Sequence, residues 1–185
     1  MIERMIRAAR LDPAVYNELE ADLSANGQAL RVVILASLAT GIGNGIRLSV
    51  SGFPGQAIAG IIIGLITALI GFAVFVTLVY FVGTSLFGGT ATPGEILRTL
   101  GFAYTPQLLG FFAFIPILGG LAVFIGTIWG WVASVIAVRE ALDFDTGKAV
   151  LTIIVSAIVV VVALAIVGII LGLLGLGLGA LGSAF

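Results

Sequence analysis

The residues with the strongest claim to chemistry are few and crowded. Arg139, Glu140, Asp143, Asp145 and Lys148 fall in one short polar stretch between long apolar runs. Two aspartates two positions apart suggest calcium, but the other oxygen ligands and the twelve-residue pattern of a calcium loop are missing. Gly147-Lys148 is not embedded in the G-x-x-x-x-G-K-[ST] pattern that cradles a phosphate. Capping and anchoring suit these residues better. Arg139 falls where a helix C-terminus favours a cation, and Asp145 or Thr146 where the next helix needs an N-cap. The stretch is also the candidate partner-binding loop.

A second group lies inside an apolar run. Pro106 kinks a helix that contains it and releases a carbonyl near Phe102, which Thr105 or Gln107 can answer. Tyr104 and Gln107 are the candidate lining of a polar site at this kink, or else interhelical hydrogen-bonding groups. Other chemistries fail on residue types. The chain has no histidine and no cysteine, which excludes a thiolate or imidazole metal site, a disulfide framework and a histidine-based dyad. Lys148 has no serine at a motif spacing and no carboxylates pair within an apolar run, so neither an enzyme nor a cofactor is expected. A net charge of −1 with only three clustered arginines leaves no footprint for nucleic acid.

These groups must be positioned by membrane helices. Of 185 residues, 61% are hydrophobic and 9% charged, where a soluble domain carries about 25% charge. The charges gather at Glu3–Arg31, Arg47, Glu95–Arg98 and Arg139–Lys148. The runs between them can be counted in crossings of about 20 residues each. Approximate spans are 30–47, 57–86, 94–115, 117–140 and 149–174. The fold class is therefore an all-α integral membrane protein, a five-helix transmembrane domain over 29–185 preceded by short amphipathic helices over 1–28. The third and fourth spans meet in a tight hairpin at Pro116. Five crossings leave Arg47 alone on one side and every other Lys and Arg on the opposite side, together with all the carboxylates. Basic residues concentrate in cytoplasmic loops, so the expected topology is multi-pass in the cell membrane, N-terminus cytoplasmic and C-terminus external.

At the N-terminus, Ile2, Met5, Ile6 and Ala9 oppose Arg4, Arg7 and Arg10, an amphipathic helix suited to an anionic leaflet. Asp12-Pro13 starts a second helix over about 13–23, with Tyr16, Leu19 and Leu23 on one face and Asn26-Gly27 as its end. Glycines four apart (Gly41/Gly45, Gly60/Gly64, Gly126/Gly130) allow close helix approach. Gly168, Gly172, Gly175, Gly179 and Gly182 continue as one stripe, the candidate self-association face, on a helix too long for one bilayer core.

Three segments also resemble a known family: Leu97-Arg98-Thr99-Leu100-Gly101-Phe102-Ala103-Tyr104-Thr105-Pro106, Ile115-Pro116-Ile117-Leu118-Gly119, and the run from Val135 through Arg139-Glu140-Ala141-Leu142-Asp143-Phe144-Asp145-Thr146-Gly147-Lys148-Ala149. With Tyr16-Asn17-Glu18-Leu19-Glu20 and Gly27-Gln28-Ala29-Leu30, they are similar to the prokaryotic branch of the Yip (Ypt/Rab-interacting protein) membrane-domain family. The resemblance implies five membrane helices and a cytosolic N-terminus. Eukaryotic relatives act in vesicle traffic and bind Rab-type GTPases and one another. Their long N-terminal cytosolic region has no counterpart here, a departure that speaks against a small-GTPase partner.

The expected function is a non-enzymatic membrane scaffold that organises partners or shapes the bilayer. Its partners would be the lipid bilayer, further copies of the chain or other membrane proteins. The alternative is a transporter or channel for a lipid or small neutral solute. No ionised group lies well inside a span, so ion coupling is not expected.

Overall fold

The computed structural model describes the backbone from Met1 to Gly182, and side-chain surroundings through Ala163 and at Ala165, Ile166 and Ile169. Among these residues every regular element is a helix: α1 (Ile2–Ala9), α2 (Pro13–Ala21), a 3₁₀ turn (Leu23–Ala25) leading into α3 (Asn26–Val50), α4 (Pro54–Phe81) with a π turn (Val82–Leu86) at its end, α5 (Pro93–Ala103), a 3₁₀ segment (Thr105–Phe114), α6 (Leu118–Ala141) and α7 (Thr146–Gly182). Local signals set the starts. The Asp12 carboxylate accepts from the Ala14 amide at 3.0 Å with Pro13 in the first turn of α2. Thr92 and Glu95 form a reciprocal capping box before Pro93 and α5. Pro54 occupies the first turn of α4, where its missing N–H leaves no bond unmade.

Among the described residues, four helices are long and apolar enough to cross a membrane: Leu23–Val50, Pro54–Leu86, Leu118–Ala141 and Thr146–Ala163. The expected span 94–115 is not one kinked helix. It is α5 followed by a 3₁₀ segment. Pro106 cannot donate, and its ring opposes the Phe102 carbonyl one turn back. That carbonyl is taken by the Thr105 hydroxyl at 2.7 Å. The chain then winds more tightly to Phe114, far longer than an ordinary 3₁₀ run. Neighbours hold it: Gly110 lies on the Thr40 side chain, and Gly43 lies on the Gly110 and Phe111 carbonyls so closely that a methyl there has no room. Gly101 meets Ala29 in the same way. The pairs Ala29–Gly101, Thr40–Gly110 and Gly43–Phe111 advance together, so α5 and the 3₁₀ segment run alongside α3 in the same direction.

The other helices follow as antiparallel neighbours. Gly41 and Gly45 seat Ile61 of α4, while Gly126 and Gly130 of α6 rest on the Pro106 carbonyl and the Gln107 amide. These glycine pairs therefore pack within the chain. At Pro116 the turn is tight, with Ile117 at φ 67°.

Burial divides the bundle into two zones. At the end carrying α1 and α2, a core of Tyr16, Leu19, Ile96, Leu100, Val138 and Leu142 is sealed from solvent. Toward the other end, Ile58, Ile62, Ile66, Phe124, Ile128 and Ile158 face outward, as an apolar belt in lipid does. Every charged residue except Arg47 lies in α1, α2 or the turns that follow them, near the starts of α3, α5 and α7, at the end of α6, or in the loop after it.

Candidate functional site

The charged end is assembled around Arg98. Its side chain is 1% exposed, yet it meets no carboxylate. Nε donates to the Leu19 carbonyl at 2.7 Å, Nη2 to the Glu20 carbonyl, and Nη1 to Asn26 Oδ1 at 3.2 Å. Leu19 and Glu20 are in the last turn of α2, where carbonyls lack intrahelical partners and the helix dipole is negative. That turn has no basic residue of its own. Arg98, on α5, supplies the C-terminal cation from across the fold.

The same device recurs at α1. Its final carbonyls, Ala8 and Ala9, accept from the Tyr16 hydroxyl at 3.3 Å and from the Trp129 indole at 2.8 Å. Burial pushes the Tyr16 phenol up, keeping it a proton donor. Ion pairs close the clasp: Arg4 with Asp22 at 2.7 Å, and Arg7 with Asp12 at 2.8 Å and Glu18 at 2.7 Å. The Ser24 and Arg4 hydrogen bonds hold the Asp22 carboxyl below the usual aspartate range, and the Arg7 hydrogen bond does so for Asp12. The apolar face expected for α1 is accordingly divided. Met5 and Ala8 turn into the core, while Ile2 and Ile6 remain exposed. In α2, Tyr16 and Leu19 are buried but Leu23, past the helix end, is exposed.

The loop residues join this end. Asp145 Oδ1 accepts from the Lys148 amide at 3.0 Å and so caps α7. Arg139 pairs with its neighbour Glu140, with Nε 2.8 Å from Oε1. Asp143 accepts from Thr90 at 3.1 Å, and Lys148 Nζ lies 5.5 Å over the Phe144 ring. Leu142 packs against Gly83 and Gly89, where a Cβ would collide with it. Loops 82–92 and 142–145 are thus one interlocked surface. Glu20 is near the same place: burial first, then repulsion from Asp143 and Glu95, raises its carboxyl above the usual range.

Deeper in the bundle, Tyr104 and Gln107 form a partition between two cavities. One, about 200 Å³, is bordered by Phe75, Trp131, Ser134 and Ile153. The other, about 290 Å³, is bordered by Ser37, Thr40 and Asn44 of α3 and by Gly60, Gly64 and Ala68 of α4. The Thr40 hydroxyl donates to the Gln107 carbonyl at 3.2 Å. Pro106 is buried, borders neither cavity, and sits at the change of winding between Tyr104 and Gln107. Neither cavity contains a charged side chain among its bordering residues.

Residues 12–170 match the model of the Yip1 domain. The chain belongs to the Yip family. No curated protein and no solved structure matches it. Membership makes the apolar helices those of a multi-pass membrane protein, and the matched residues include Arg98 with its three acceptors, the interlocked loops and the partition, but not α1. Within this Yip1 domain the structure brings Arg139, Glu140, Asp143, Asp145 and Lys148 to the same charged end as Arg98, and Tyr104 and Gln107 to both cavities, while Pro106 borders neither. The surroundings of Gly168, Gly172, Gly175, Gly179 and Gly182 lie outside the described residues. Sequence reasoning missed Arg98 as a fastener and Ser37 as a cavity residue. The one available signal for Arg98 was an arginine among apolar neighbours on a helix that opens with its own capping box.

Proposed function

We propose that this Yip-family chain is a non-enzymatic membrane scaffold whose charged end binds protein partners. The observation that carries this reading is Arg98. It locks α2 to the membrane bundle through three neutral acceptors; with the α1 ion pairs and the Leu142 contacts to Gly83 and Gly89, the short helices and two loops make a fixed surface. A fixed surface loses less conformational entropy on binding than a mobile tail. We assign five crossings to the bundle. The α5 and 3₁₀ segments together reach about 36 Å, and their march alongside α3 supports a passage through the same thickness. The positive-inside rule places the charged end in the cytoplasm of a cell-membrane protein, and Arg47 and Ile117 outside.

The test is a photo-crosslinking residue at Glu140 or Asp143 in growing cells. Discrete adducts are expected, and they should disappear in an Arg98→Met variant that still inserts. A chain that yields no adducts and diffuses as a monomer refutes the scaffold. The alternative, an uncoupled path for a lipid or neutral solute, draws on the two cavities. Because Tyr104 and Gln107 separate rather than join them, flux through reconstituted vesicles is expected at the level of empty liposomes.

A further inference from the structure

The cavity between α3 and α4 is built like a binding site. Hydroxyls in membrane helices ordinarily satisfy themselves by bonding one turn back, and this chain follows that habit. Ser49, Thr77, Thr127, Ser134 and Thr152 each donate to the carbonyl four residues earlier, at 2.8–3.0 Å. Ser37 does not. Its side chain is 8% exposed and its hydroxyl has no partner, although it borders the cavity. An unmade bond in an apolar medium is costly, and at Ser37 the adjoining cavity leaves room for a partner that the protein itself does not supply.

The remaining wall is also polar, though its groups are partnered: the Thr40 hydroxyl donates to the Gln107 carbonyl and the Asn44 amide to the Thr40 carbonyl. Ser37, Thr40 and Asn44 recur at helical spacing and make one polar stripe along α3. Opposite them α4 presents Gly60, Gly64 and Ala68. Nothing stands within 4 Å of the position a Gly64 Cβ would take. Both glycines are exposed, so the cavity opens sideways between the helices, among outward Ile62, Ile63 and Ile66. A ligand therefore arrives from the lipid. The bordering stretch of α3 is about 12 Å tall, and the volume of about 290 Å³ lies near the lower limit of small-ligand sites, about 300 Å³. That holds the polar part of a lipid and leaves its chains in the bilayer. Arg47 is already tied to Asn44 at 3.1 Å, and no ionised group borders the space, which selects against a charged headgroup.

We propose that the α3/α4 cavity binds the uncharged glycerol-hydroxyl region of a lipid, hydrogen-bonded by Ser37 and by the Tyr104–Gln107 partition. This site does not depend on the scaffold reading. The probe is a diacylglycerol with a diazirine in one acyl chain, added to the full-length protein in phosphatidylcholine vesicles. Saturable labelling of the 36–48 and 57–68 peptides is expected, competed by unlabelled diolein and not by phosphatidylglycerol. Ser37→Ala should weaken it about three- to tenfold, the worth of one neutral hydrogen bond. Gly64→Leu, which fills the space, should abolish it while leaving labelling around Ile125 on α6 unchanged. Because Gly64→Leu risks misfolding, Ser37→Ala with an unaltered melting curve decides the matter. Non-saturable labelling, equal labelling of Ser37→Ala and wild type, equal competition by phosphatidylglycerol, or a second copy crosslinked into the α3/α4 groove would each overturn the site.

Discussion

Replacing Arg98 with methionine keeps most of the side-chain volume and removes every donor. Three acceptors then lose their partner: the Leu19 and Glu20 carbonyls and Asn26 Oδ1. Hydrogen bonds to a charged donor contribute about 1.5–3 kcal/mol each. Their sum is not the expected loss, because burying a guanidinium itself costs several kcal/mol, and methionine avoids that cost. The α2 carbonyls also regain water as soon as α2 lifts from α5. The net penalty therefore falls at about 2–4 kcal/mol, a shift of about 30- to 1,000-fold in the opening equilibrium of the N-terminal helices. Hydrogen exchange in lipid nanodiscs reads it directly. Amides of 13–25 should lose protection by that factor, while those of α6 and the first half of α7, which Arg98 does not touch, should hold theirs. Arg98→Lys, with one ammonium in place of a fork, should fall between. Equal exchange in wild type and Arg98→Met, or a uniform loss across all helices, would refute the idea that Arg98 fastens one end of the bundle.

Acid should act on the same clasp in two directions. Glu20 is raised by burial and by Asp143 and Glu95, so the folded form binds its proton more tightly and mild acidification should increase protection of α2. Asp12 and Asp22 are depressed, so their contribution persists until pH falls below the ordinary aspartate value of 3.8 and is lost there, which N-terminal proteolysis against pH would follow. Gly110→Ala drives a methyl into Thr40 and should cost about 1–3 kcal/mol as overpacking, seen as a lower melting temperature in detergent, whereas Gly120→Ala, with nothing within 4 Å, should leave it unchanged. Thr105→Val strands the Phe102 carbonyl and should cost about 1–3 kcal/mol, with Pro106→Ala added in the same chain recovering part of it in the same melting assay.

What could be read from the residues in order was local chemistry and bulk hydropathy. Asp12 before Pro13, the carbonyl released by Pro106 and the apolar runs each carry their cause within a few positions. The boundaries of α3 were less legible. Asn26-Gly27 reads as a stop, yet the 3₁₀ turn lets Asn26 start the next helix, with its side chain accepting from Arg98. That bond joins residues 72 apart, and no window of sequence contains it. The long 3₁₀ segment was hidden for a similar reason. Its winding is imposed by Thr40 and Gly43 on one side and by Gly119 and Gly126 on the other. Ser37 looked like any membrane serine, because what distinguishes it is an unmade bond beside a cavity that only the packing of α3 on α4 creates.

The account stands most directly on the passage of residues 93–114 from the charged end to the other end of the bundle. Single cysteines at Ser51, Thr90, Ile117 and Asp143, in a chain with no native cysteine, can be labelled in intact cells with an impermeant maleimide. Labelling at Ser51 and Ile117 without permeabilisation, and at Thr90 and Asp143 only after it, is the predicted pattern. Finding Ile117 in the same compartment as Asp143 would mean that the segment does not cross, and the topology argued here would be contradicted.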